Sequence, residues 1–150
     1  MNVLVDTCFW YSYLCTKAQD RHPKASEIYR YLDNLNAIFI IPYPTLYETI
    51  NTKLLRDKYK NEAMWFMKQL NSNPRFVRIQ DDKYRDIAYQ YTMSETNQRG
   101  ISLVDNVIRV MLENSVDLHI DALLTFNTKD FVDVCSKRNI MLYDENFEVD

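Results

Sequence analysis

The sequence predicts an α/β domain of three layers, with a mainly parallel central sheet flanked by helices. Short, nearly continuous apolar runs such as NVLV at 2–5 and AIFII at 37–41 have the composition of strands buried on both faces. They alternate with longer stretches whose apolar residues recur at helical spacing, the pattern of strand–helix–strand crossovers. No low-complexity segment, internal repeat or Ser/Gly linker divides the 150 residues, a length that suits one domain spanning 1–150.

The elements follow in order. NVLVD is the first strand, and an aromatic helix runs from Phe9 to about Cys15. In PKASEIYRYLDNL (23–35), Ile28, Tyr31, Leu32 and Leu35 share a helical face. AIFII is a second strand, ended by Pro42 and Pro44, and helices follow over 45–59 and 61–71. A third strand is expected at Phe76–Ile79, then a helix at 82–95 with Tyr84, Ile87, Ala88 and Tyr91 on one side. Gly100 breaks the chain before Ser102 caps SLVDNVIRVMLENS. LHIDALLTF (118–126) reads as a strand, TKDFVDVCSKR as a short helix and NIMLY as the last strand.

Composition narrows the chemistry. An apolar fraction of 47% and a charged fraction of 26% are those of a globular protein able to bury a core without disulfides. No basic leader precedes the first apolar run, which Asp6 interrupts, and no stretch approaches the ~20 apolar residues of a membrane span. Cys8, Cys15 and Cys135 are odd in number and lack metal spacing, so reduced thiols in the cytoplasm are expected. His22 and His119 stand at no ligand spacing with each other or with a cysteine, which argues against zinc. Gly100 is the single glycine, which excludes the dinucleotide fingerprint and the P-loop and with them a nucleotide cofactor. Chemistry must then rest on side chains, chiefly carboxylates.

Charge is unevenly spread about a net of −3. Residues 51–80 carry seven basic against two acidic residues, a net of +5, and the last fifty carry ten acidic against four basic, a net of −6. Lys53, Arg56, Lys58 and Lys60 could track a polyanion beside a cation site, or could simply form a solvated helical face.

Four carboxylates fall where strands end or helices begin. Asp6 ends the first strand, Glu48 opens the helix after Thr45, Asp105 opens the helix after Ser102, and Asp130 follows LLTFN. In a parallel sheet these points gather along one edge, where ligands bind. Acids gathered there repel one another unless a cation neutralises them, and oxygen-only ligation suits Mg²⁺ or Mn²⁺. Each has an ordinary explanation as well. Asp105 completes a Ser-x-x-Asp capping pattern. Glu48 lies opposite Leu46, Ile50 and Leu54 on a helical wheel, on the side of solvent. Asp130 could complement a helix dipole. Asp6 is the hardest to dismiss, because a charge directly after a buried strand is costly unless it is paired or bound.

Taken together, VLVDTCFW, TLYETINTKLL, SLVDNVIRVML and LLTFNTKDF resemble, in order and spacing, the PIN-domain ribonucleases, and most closely the small prokaryotic toxins of the VapC type. The resemblance runs from residue 3 to about 143 and is most specific in T-x-N-x-x-D-F after an apolar strand. It implies a PIN-like fold and an acidic quartet of Asp6, Glu48, Asp105 and Asp130, supported by Thr7, Thr125 and Asn127. Some members carry an aspartate where this chain has Asn127, so either Asn127 or Asp130 fills the fourth role, and Asp121 is a lesser rival. The implied activity is metal-dependent hydrolysis of RNA with Mg²⁺ or Mn²⁺, leaving 5′-phosphate and 3′-hydroxyl ends. The implied partners are a cognate antitoxin whose segment lies in the cleft and a second copy in a homodimer.

Two other enzyme classes fall on local chemistry. A haloacid-dehalogenase-type phosphatase needs an acid two residues after the first aspartate, where Cys8 stands. A receiver domain needs adjacent acids before its first helix and a strand-end lysine, and neither is evident. The remaining alternative is a PIN-like module that binds RNA or protein without cutting. All four acids are present, which favours catalysis.

Overall fold

A computed structural model describes residues 1–16 and 20–148. Strands β1 (Asn2–Val5), β2 (Ile38–Pro42), β3 (Phe76–Ile79), β4 (Ala122–Leu124) and β5 (Met141–Tyr143) form one sheet in the order β3-β2-β1-β4-β5. Every neighbouring pair is parallel, with Leu4 opposite Ile40 on one side and Leu123 on the other. The central β1 thus has a strand on each side and helices above and below. Val3, Leu4 and Val5 are fully buried, which is why its sequence is continuously apolar rather than alternating.

Side chains alternate across the sheet with period two, and each set builds its own core. Val3, Val5, Phe39, Ile41 and Leu124 face a cluster with Phe9, Trp10, Ile28, Leu32 and Phe66. Leu4, Ile40 and Leu123 face the other way, onto Val107, Ile108, Met111, Phe131 and Val134. The first face is covered by α1 (Thr7–Leu14), α2 (His22–Asn34), α3 (Tyr43–Tyr47) with its π-helical continuation (Glu48–Leu55), and α4 (Lys60–Ser72). The second is covered by α5 (Arg85–Met93), α6 (Leu103–Glu113) and α8 (Val132–Arg138). This is the expected three-layer α/β arrangement. No helix among the described residues is long and apolar enough to cross a membrane.

Several boundaries differ from the periodicity, among them the end of the helix expected over 45–59, which stops at Leu55. The strand expected over 118–126 is only Ala122–Leu124, because the chain first makes a helical turn, α7 (Ser115–Leu118), which ends at His119 with a positive φ of 52°. Asn2 then ties the start of β4 down, its side-chain amide donating to the His119 carbonyl and its backbone N–H to Asp121. The helix expected from 82 begins at Arg85, since the Asp81 carbonyl first accepts from Tyr84 and Arg85 to close a turn. The helix after β2 starts early, at Tyr43, with Pro44 in its first turn, where a missing N–H costs nothing, and changes winding at Glu48.

Candidate active site

Asp6 directly follows β1 and occupies the position before α1 where a carboxylate would ordinarily cap the helix, but it makes no side-chain cap. Its carboxylate instead turns sideways along the carboxyl edge of the sheet. Oδ2 accepts a hydrogen bond from Thr125 Oγ1 at 2.8 Å and one from Cys8 Sγ at 2.9 Å. Thr125 follows β4, the strand beside β1, so parallel pairing itself brings the hydroxyl to the acid. Asp6 is only 3% exposed, and burial pushes its carboxyl up, against these hydrogen bonds, which pull it down.

Glu48 joins Asp6 through α1. Thr7 Oγ1 donates to Glu48 Oε2 at 2.7 Å, so the residue after Asp6 orients the second acid. The helical wheel puts Glu48 toward solvent, but it lines the same cavity as Asp6. The winding carries a further consequence. In an α-helix, residues five apart are rotated by about 140°, whereas the wider i→i+5 winding brings them nearer to one side. Glu48 and Lys53, both in the π-helical segment, therefore line one cavity, with Lys53 Nζ 5.8 Å from the Tyr11 ring centroid.

Asp105 comes from the opposite layer, in the first turn of α6. The capping expectation holds: Ser102 Oγ accepts from the Asp105 N–H at 3.1 Å. The same hydroxyl donates to Asp105 Oδ2 at 2.8 Å, and the carboxylate still lines the cavity. Capping and site geometry are thus one device. Burial and then the negative charge of Asp6 push the Asp105 carboxyl up to about 6, with Asp130 and Glu48 adding to the rise. Asp6, Glu48 and Asp105 share an open cavity of about 150 Å³ with Thr7, Cys8, Lys53 and Asn127.

The loop after β4 separates the two candidates for the fourth role. Asn127 lines the cavity, its N–H donating to Thr125 Oγ1 at 2.9 Å. Asp130 ends a 3-10 turn (Thr128–Asp130) and sits behind, its Oδ2 accepting from Asn127 Nδ2 at 2.7 Å. Arg109, one turn beyond Asp105 on α6, donates to the Asp130 carbonyl and grips Asp133 through two bonds of 2.7 Å. That grip pulls the Asp133 carboxyl down to about 2. Asp121 precedes β4, at the amino end of the sheet, and its carboxylate is taken by the Asn2 N–H, so it is remote from the other acids.

The basic stretch divides. Lys53 faces the acids, Arg56 pairs with Asp57 at 3.3 Å, and Lys58 and Lys60 border a separate hollow with Asp57 and Glu62. Cys8 and Arg109 were missed by sequence reasoning. Cys8 stands two residues from Asp6, but only the structure reveals that its thiol, kept protonated by burial, is hydrogen-bonded to that acid and accepts the Phe126 N–H. Arg109 could have been sought at i+4 from Asp105, on the same helix face.

The arrangement suits a hard divalent cation. The acids supply only oxygen donors, and their mutual repulsion and burial are what a positive ion would relieve. Among the described residues, no three His, Cys, Asp or Glu side chains are grouped closely enough to form a ready metal cage. Mg²⁺ is commonly held through one or two carboxylates while keeping several waters, so the donor set fits it without a closed cage.

No family model matches the sequence, and no curated protein matches it by sequence. The fold does match a solved structure. The crystal structure of Mycobacterium tuberculosis VapC20, a sarcin–ricin loop cleaving toxin, superposes with a TM-score of 0.68 at 15% identity, covering 87% of this chain and 94% of that one. The chain has the VapC-like PIN fold.

Proposed function

We propose that this PIN-fold chain is a metal-dependent endoribonuclease, the toxin of a toxin–antitoxin pair acting in the cytoplasm. The observation that carries the reading is the gathering of Asp6, Glu48 and Asp105, from both helical layers, around one cavity at the carboxyl edge of a parallel sheet. Asp6, Glu48 and Asp105 would hold Mg²⁺ or Mn²⁺ directly or through its retained waters, with Asp130 acting through Asn127. A bound ion of this kind supplies water activation at neutral pH and neutralises charge on the leaving oxygen of a phosphodiester.

The chain's own residues do the positioning. Thr125 and Cys8 hold Asp6 in one orientation, Thr7 holds Glu48 and Ser102 holds Asp105. Asn127 offers its amide beside the acids, and Lys53 brings a cation to the cavity wall, placed to meet a phosphate oxygen. Arg56, Lys58 and Lys60 lie farther along the chain, where they would follow the RNA backbone. VapC20 is described as cleaving the sarcin–ricin loop; structured RNA is accordingly the first substrate to try. A cognate antitoxin segment in the cleft and a homodimer complete the proposal.

The test is cleavage of structured and unstructured RNA by the purified chain with Mg²⁺ or Mn²⁺ and with EDTA. Cleavage that EDTA stops and Asp6→Asn abolishes supports the nuclease. RNA or protein binding indifferent to divalent metal, without cleavage, would support a non-cutting binding module instead.

A further inference from the structure

A wider hollow, about 610 Å³, adjoins the acidic cavity and shares Cys8 and Asn127 with it. Phe126, Lys129 and Arg21 continue its wall. Arg21 Nε and one terminal nitrogen donate to the two oxygens of Glu145 at 3.1 and 3.0 Å, and its guanidinium carbon lies 5.8 Å from the Phe126 ring centroid. With its edge committed to Glu145 and its guanidinium over Phe126, the plane of Arg21 is fixed at the wall of the hollow. The Arg21 side chain is 44% exposed, and ion pairs so exposed contribute little.

We propose that this hollow seats the nucleotide next to the cleaved phosphodiester, with its base stacked on Arg21 and its phosphate beside Lys129; the proposal rests on the nuclease reading. Planar bases stack on guanidinium groups, and a fork already pinned by a carboxylate loses little freedom when they do. Lys129 is exposed in the turn that carries Asp130, where it can meet a phosphate. Asn127 and Thr128 add polar groups between the two ends. An apolar peptide would find no floor here, since Phe126 is 4% exposed. The shared Cys8 and Asn127 place a ligand in the hollow directly beside the carboxylates.

Titration of 5′-mononucleotides into the metal-free full chain, followed by NMR or calorimetry, tests the seat without turnover. Binding should perturb Arg21, Phe126 and Lys129, and Arg21→Ala should weaken it about tenfold. Arg21→Lys should not restore it, because an ammonium has no face to stack. Lys129→Gln, at an exposed position outside α2, should weaken binding independently of any effect on that helix. In cleavage of short RNA, Arg21→Ala should raise KM and leave kcat near wild type. Wild-type affinity in both Arg21→Ala and Lys129→Gln, or full rescue by Arg21→Lys, would overturn the proposal. A chain that binds mononucleotides through Arg21 but cuts no RNA keeps the seat and loses the nuclease; one that cuts RNA with KM unchanged by Arg21→Ala keeps the nuclease and loses the seat.

Discussion

Asn127 Nδ2 donates a 2.7 Å hydrogen bond to Asp130 Oδ2, and of the two residues Asn127 is the one that lines the acidic cavity. Asp130 is therefore expected to act by holding Asn127 and by lending its charge, which is felt at Asp105. Asp130→Ala should lower cleavage about tenfold, the scale for an outer partner. Asp130→Asn keeps an acceptor for the amide and should retain more activity than the alanine variant. Equal damage from both, measured as kcat across a Mn²⁺ titration, would make Asp130 a direct ligand.

Removing a central acid should act more severely. Asp6→Asn or Asp105→Asn is expected to reduce cleavage beyond the about 10–100-fold of outer partners. In metal-free protein the same substitutions should raise the melting temperature, because they remove one of several repelling buried charges. Calorimetry with and without Mn²⁺ checks both halves: the ion should stabilise wild type strongly and the variants weakly.

Stability of the metal-free chain should depend on pH through Asp105. Its carboxyl is at about 6 when folded, above the ordinary ~3.9 of an unfolded aspartate, so between these values the folded state binds more protons. The sign follows: melting temperature falls as pH rises from 5 to 7.5, and Asp105→Asn flattens the slope. Below about pH 4 the opposite trend begins, as Asp133, at about 2 beside Arg109, is protonated and its pairing is lost. Melting curves across this range, recorded in EDTA, decide the matter.

Ser102→Ala removes a helix cap and should cost about 1 kcal/mol of stability. It also removes the hydroxyl bonded to the Asp105 carboxylate, a bond that draws the acid's pKa down. The Asp105 titration, followed by NMR, should move upward in the variant. An unchanged titration would separate capping from site geometry.

The lysines should separate into two roles. Lys53→Gln is expected to lower cleavage, because this cation lies among the acids. Replacing Arg56, Lys58 and Lys60 by glutamine should instead flatten the salt dependence of RNA binding, by about 0.7 for each phosphate of a single strand that is no longer neutralised. Coincident salt slopes for wild type and the triple variant would show that this face is merely solvated.

The three-layer α/β plan and the acids at its edge were legible in the order of the residues. Continuous apolar runs flanked by helical periodicity leave few alternatives to a buried parallel sheet, and Asp6 at the end of such a run is costly without a purpose. Ser102 and Asp105 were legible as a cap because that interaction is local, spanning three residues. What depends on non-local pairing or backbone winding was not legible there and emerged only from the folded chain. Thr125 reaches Asp6 across 119 residues because β4 pairs with β1. Asp121 is set aside because β4 begins only at Ala122, which leaves that acid at the wrong end of the sheet. Glu48 and Lys53 share a cavity because the helix changes from i→i+4 to i→i+5 bonding at Glu48. A wheel drawn at 3.6 residues per turn sets the two about 140° apart, and composition carries no mark of the change in winding.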